Sequence, residues 1–298
     1  MLARIWGCRG SLATPGRETL RFGGNTSCVE VVLSDETLVI LDAGTGIRSL
    51  GLQLAQNGPQ ALHLLLTHLH LDHVEGLGFF SPLWIPETEL HVWGPPSPVR
   101  SLKERIELYL SPPIFPIKLS DIPARVVFRD VPSEPWEIGS SLVYAEPVSH
   151  PGPTLGYRIE EDGSSLTYIP DHEPAIGVEL EMLSTDWISG HALAAGATAL
   201  LHDAQYSEEE YAEHVGWGHS SVAHAVTFAH MAEVGRLLLF HHDPLHADPD
   251  LAALQARARD LWRNGGPPPE LASEGMELEF VNGEARASAG ASPSPFPS

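Results

Sequence analysis

Cysteine is nearly absent from this chain. Cys8 and Cys28 are the only two in 298 residues, so a disulfide framework is excluded and a cytoplasmic setting is the default expectation. Long apolar runs are missing too. None approaches the roughly 18–20 residues of a membrane span. Met1–Trp6 runs into a β-like segment without a basic stretch and apolar core before it, so no signal peptide is expected. Basic residues are scarce: 17 Lys and Arg stand against 39 Asp and Glu, a formal net charge of −22. Such a surface repels long polyanions and gains nothing from counterion release, which argues against DNA or structured RNA as a partner. The first fifty residues differ, with Arg4, Arg9, Arg17, Arg21 and Arg48 set against five acids. What is present is ordinary for a globular protein, 43% hydrophobic and 19% charged, and long enough to bury a large core.

β-branched runs flanked by Gly or Asp predict strands over Ala3–Trp6, Ser27–Leu33 and Thr37–Leu41. After Gly44-Thr45-Gly46 a short helix is expected over Ile47–Gln56. Leu62–Leu66 is apolar but for His63 and reads as a central strand buried on both faces. Residues 81–135 are proline-rich and read as an elaboration carrying strands Glu89–Trp93 and Ala124–Arg129 around a helix Val99–Leu110. Further strands are expected over Leu142–Pro147, Thr154–Ile159, Ser165–Ile169, Thr198–Leu201 and Arg236–Phe240. Helices are expected over Ser207–Val215, Ser220–Val234 and Asp248–Arg263. The tail Ala285–Ser298 is Ala/Ser/Pro/Gly-rich and reads as disordered, leaving residues 1–284 as one domain. Strands giving way to mixed elements in both halves imply an α/β fold: two mixed sheets packed face to face with helices outside.

The densest chemistry follows Leu62–Leu66. Thr67-His68-Leu69-His70-Leu71-Asp72-His73 packs four candidate metal ligands into six residues. Residues two apart at a strand end share a side, so His68 and His70 can face one ion. Asp72, a candidate helix N-cap, and His73 come where the chain turns and can face a second. Imidazole and carboxylate suit zinc, manganese or iron. Three more candidates each end a β-like run: His150, Asp171 and His241, the last with His242 beside it. Together they make two ion sites, three histidines for one and two histidines with an aspartate for the other. The two oxygens of Asp171 can bridge them.

With these residues in view the chain resembles the metallo-β-lactamase-fold hydrolases. His68, His70, Asp72 and His73 match that superfamily's H-x-H-x-D-H signature, and His150, Asp171 and His241 follow in its order. The resemblance covers about Met1 to Arg263 and implies a four-layer αββα sandwich. It assigns His68, His70 and His150 to one ion and Asp72, His73 and His241 to the other, with Asp171 shared. Asp42 matches a structural aspartate. Two divalent ions are implied, zinc first, with manganese or iron as alternatives.

Leu201-His202-Asp203-Ala204-Gln205-Tyr206 and Gly216-Trp217-Gly218-His219-Ser220-Ser221 resemble the paired motifs of the ribonuclease Z-like phosphodiesterases. In that branch a carboxylate, here Asp203, orients a histidine, here His219. A protonated histidine can stabilise charge on a phosphodiester attacked by hydroxide shared between two ions, or protonate the leaving oxygen. Asp72, Asp203 and His219 are therefore the expected catalytic residues, and Arg9, Arg21 and Asn25 are candidate substrate contacts. A basic arm for gripping tRNA is missing, so a small or cyclic phosphodiester is the expected substrate, and homodimerisation follows from the resemblance alone. The alternatives are hydrolysis of a lactone, thioester or β-lactam, and a di-iron redox sensor on the same fold.

Overall fold

The computed structural model describes residues 1–58, 60–263 and 265–288. Strands β1 (Leu2–Gly7), β2 (Cys28–Val32) and β3 (Leu38–Leu41) are antiparallel neighbours. Then β4 (Ala61–Leu65), β5 (Glu89–Gly94) and β6 (Arg125–Asp130) add in parallel. Parallel neighbours need a crossover. Helix α1 (Ile47–Leu54) lies between β3 and β4, and α2 (Leu102–Tyr109), capped by Ser101, between β5 and β6.

A second sheet begins with the antiparallel strands β7 (Trp136–Ile138), β8 (Ser141–Pro147), β9 (Leu155–Glu161) and β10 (Ser164–Ile169). It continues in parallel with β11 (Ala199–Asp203), β12 (Leu237–Phe240) and β13 (Glu270–Leu271). Helices α3 (His191–Ala194), α4 (Glu208–Glu213), α5 (Val222–Met231) and α6 (Asp248–Leu261) fill its connections. Last, β14 (Glu277–Val281) and β15 (Glu284–Ser288) return to the first sheet, where β14 pairs with β1. The first sheet runs β15-β14-β1-β2-β3-β4-β5-β6 and the second β13-β12-β11-β10-β9-β8-β7.

Three apolar layers follow from strand alternation. Ile5, Val29, Val31, Val39, Leu41 and Leu65 meet Val143, Tyr157, Ile159, Leu166, Leu201 and Phe240 between the sheets. On the outside of the first sheet, Ile40, Leu62, Leu64 and Val92 pack under Ile47, Leu50 and Ile106. Outside the second, Leu200, Leu237 and Leu239 pack under Val226, Phe228 and Leu251. These are the layers of an αββα sandwich. Strand β4 feeds two of them, Leu65 the first and Leu62 and Leu64 the second, while His63 between them stacks on His91 and Trp93. Each fully buried leucine there contributes about 2 kcal/mol.

Three expectations change. Residues 81–135 are not an elaboration, because β5 and β6 are integral strands of the first sheet. The tail reading fails for Ala285–Ser288, which pairs with β14; residues 289–298 lie outside the described ones. The missed signal is Asn282-Gly283, both at positive φ (53° and 79°), the pattern of a type I′ hairpin turn. The helix expected over Ser220–Val234 spans Val222–Met231, capped by Ser221, which accepts from His224 N. None of the described helices is long and apolar enough to cross a membrane.

Candidate metal centre

The candidate ligands sit at C-terminal strand ends on one rim. Residues 67–73 follow β4, His150 follows β8, Asp171 follows β10 and His241 follows β12. Asp42 after β3 and His241 after β12 both take left-handed φ, each 60°. Non-glycine residues pay for that conformation, and such strain gathers at functional sites.

Two groups of ligand atoms converge. In His68, His70, His150 and Asp171, and again in Asp72, His73, Asp171 and His241, one ligand atom from each residue lies within 4.8 Å of all the others. Asp171 belongs to both. His241 faces the cluster, its Nε2 lying 3.2 Å from Asp72 and 3.3 Å from Asp171. His242 points away and donates from Nε2 to Ala272 O.

Partners behind the rings set which nitrogen faces inward. Asp42 is fully buried. It accepts from Thr67 N at 2.8 Å, from the Thr67 hydroxyl, from Tyr168 at 3.0 Å and from His73 Nδ1 at 2.8 Å. Thr67 Oγ1 in turn accepts from His68 Nδ1. His150 Nδ1 donates to Gly218 O and His241 Nδ1 to Gln205 Oε1. The free Nε2 of each ring is left to the centre, as metal-ligating imidazoles require.

The donor set fits divalent cations. His68 Nε2 is buried without a hydrogen-bond partner, and His73 Nε2 and Asp171 Oδ1, buried 3.0 Å apart, face each other outside hydrogen-bond geometry, a costly arrangement that an ion would relieve. Burial pushes His68 well below the usual histidine range, helped by His73, so it is held neutral as a ligand must be. Burial would raise the Asp171 carboxyl, but His241, His73 and His68 hold it well below the carboxylate range. Burial would also lower His73, yet Asp171, Asp72 and Asp42 hold it well above the histidine range. Positive charge is favoured at this point.

Beside the centre, Asp203 is fully buried and accepts from four donors: His172 N, Gln205 N, Ser220 N and His219 Nδ1, the last at 2.7 Å. His219 stacks on His241 with centroids 4.9 Å apart and meets His150 edge-on at 5.0 Å. Burial opposes its charge, but Asp203 outweighs it, with help from Asp171 and Asp72, and the ring is pushed up to about 9.

The candidate substrate contacts fare differently. Arg9 is fully buried and spends its guanidinium on the carbonyls of Gly23, Asp243 and His246, so it is structural rather than a substrate contact. Arg21 lies over Phe22 at 4.7 Å, and Asn25 bonds Glu274 through its backbone and side chain. Asp72 is not an N-cap either. It lies within a 3-10 turn, Leu71–His73, and accepts from Ser11 N across the fold at 2.8 Å. Sequence reasoning passed over Ser11, Tyr168, Gln205 and Glu173 as partners, because none carries a local signal.

The comparisons agree with this geometry. The model of the beta-lactamase superfamily domain matches residues 37–242. A ribonuclease Z from Mycobacterium sp. (strain KMS) is 28% identical over 248 residues, covering 74% of this chain and 79% of the relative. Among solved structures, a diphosphatase from the PhnP family has a TM-score of 0.67 at 18% identity, covering 94% of this chain and 98% of that one. Zinc-bound PqqB from Methylobacterium extorquens has a TM-score of 0.64 at 21% identity, covering 94% and 100%. The chain belongs to the beta-lactamase superfamily, as a metal-dependent hydrolase of the metallo-β-lactamase fold.

Proposed function

We propose that this chain is a dinuclear zinc phosphodiesterase acting on small or cyclic phosphodiesters. The observation that carries the reading is the Asp203–His219 pair beside the cluster. His68, His70 and His150 would hold one ion and Asp72, His73 and His241 the other, with Asp171 shared. Bound there, the ions would supply Lewis acidity and a nucleophile from water at neutral pH.

The rest of the chemistry belongs to the chain. Attack on a phosphodiester builds negative charge on the phosphoryl oxygens and leaves a poor leaving group. With Nδ1 given to Asp203, His219 keeps its Nε2 proton for that charge or for the leaving oxygen. Asp203 orients the ring and favours its protonated form. Asp42 and Gln205 keep His73 and His241 aimed inward. Carbonyl hydrolysis has no need of such a pair.

The ribonuclease Z relatives make structured RNA the competing substrate. Two observations favour a small one. The net charge is −22. The span from His150 to Asp171 is taken up by the β9–β10 hairpin, closed by Asp162 and Gly163 at positive φ, and its single basic residue, Arg158, is paired with Glu160. A cytoplasmic setting fits the two buried, unpaired thiols. The test is zinc-loaded full chain against cyclic and linear phosphodiesters, a structured RNA, a lactone and a β-lactam. Turnover is expected on small phosphodiesters; preference for the lactone, the β-lactam or the RNA would sink the reading.

A further inference from the structure

We propose that Glu173 is a positioning residue for His150, and through it for the site where His68, His70 and His150 converge. The inference rests on the metal-dependent reading above. Glu173 lies two residues past Asp171 and is 1% exposed. Its carboxylate accepts from Gly216 N at 2.9 and 3.1 Å, from Gly218 N at 2.9 Å and from the Tyr211 hydroxyl at 2.8 Å. A buried carboxylate is tolerated only when its lone pairs are met. Here a loop does most of this. Gly216 and Gly218 take φ of 85° and 87°, so alternate N–H groups turn inward and form an anion-binding nest.

That loop is pressed against the ring. A Cβ on Gly218 would lie 2.6 Å from His150 Nδ1 and 2.3 Å from Pro151 Cδ. The Gly218 carbonyl accepts from His150 Nδ1 at 2.8 Å. From the other side, Glu173 N donates to Ser149 O at 2.9 Å. One residue therefore grips the chain before His150 and the loop that holds its ring. The Nδ1 proton is fixed, and Nε2 is left 3.1 Å from His70 and 3.7 Å from Asp171. Glu173 would touch neither ion nor substrate; it sets the tautomer and angle of a ligand.

The experiment titrates zinc alone into metal-stripped full chain, as wild type, Glu173→Gln and Tyr211→Phe, with nitrogen NMR of the histidines on the same samples. Wild type is expected to take up two zinc ions and, before zinc, to show His150 protonated at Nδ1. Glu173→Gln should weaken one site about 10–100-fold, leave the other within about threefold, and lose the fixed tautomer. Should that variant not fold, Tyr211→Phe removes one donor to the same carboxylate and should weaken the same site by about threefold or more. Equal weakening of both sites, unchanged binding at both, or a His150 protonated at Nε2 in the metal-free wild type overturns the proposal. Uptake of fewer than two zinc ions by wild type overturns the proposed function instead, and the tautomer still reports on Glu173.

Discussion

Replacing His219 by alanine separates catalysis from metal binding. The ring meets the candidate ligands only through ring contacts, stacked on His241 and edge-on to His150. Both keep the hydrogen bonds that orient them, to Gln205 and to Gly218. The metals should therefore stay. Asp203 loses one of four donors but keeps His172 N on the same oxygen. The destabilisation should be about 1–3 kcal/mol, that of one lost hydrogen bond to a charged group. Turnover is another matter. The ring is held protonated near neutral pH by the buried Asp203 carboxylate. Loss of a general acid or a charge-stabilising donor costs roughly 10²–10⁴-fold. The assay pairs metal content by mass spectrometry with steady-state kinetics on an activated phosphodiester. His219→Ala with both ions bound and more than about a tenth of wild-type turnover would refute the acid–base role. Loss of an ion would refute the separation itself. Asp203→Asn is the control in the other direction. An amide nitrogen must face N–H donors on one side, so it should cost more stability, about 2–5 kcal/mol, as well as turnover.

Asp171→Ala removes the one carboxylate shared by both ligand groups, so metal analysis should find at least one ion missing; full occupancy would contradict the shared role. Arg9→Ala should lower the melting temperature by an amount equivalent to roughly 3–5 kcal/mol, because three carbonyls lose a buried donor. Its KM should stay near wild type, and a raised KM would return Arg9 to the substrate site. Below about pH 5–6 the ligand histidines should take up protons and release metal, seen as ion loss on dialysis. Acid should also weaken the metal-stripped fold. Burial lowers His202 to about 4 and His242 to about 3, below their unfolded value near 6.5. The unfolded chain then binds more protons at these two rings, so their contribution to stability is full above about pH 6.5 and falls toward pH 4. Denaturant midpoints that do not fall over that window would count against buried, neutral rings.

The strands and ligands were legible because their signals are local. Leu62–Leu66 is apolar but for His63, and its leucines reach both faces because β4 is covered on both. The candidate ligands follow strand ends on the same rim, Asp72 and His73 in the turn after β4. The β14–β15 hairpin was missed although Asn282-Gly283 announces it: Ala285 and Ala287 pack inward as partly buried small residues, and alanine has no strand preference to betray it. Arg9 was misread for a related reason. A guanidinium in a Gly-flanked loop has the same composition whether it meets a phosphate or three backbone carbonyls, and burial decides which.

The least legible residues are those that orient the ligands. Asp42 matches a structural aspartate by resemblance, but nothing local shows that it gathers Thr67, 25 residues on, with His73 and Tyr168. Glu173 holds Gly218, 45 residues away, through backbone N–H groups that any sequence would supply. Metal ligands must be particular side chains, and so leave a pattern. Their supports need only a donor or acceptor at the right place, and the fold can draw that from anywhere in the chain. A histidine cluster read from sequence therefore locates a centre, while the tautomers that make it competent are written in the tertiary structure.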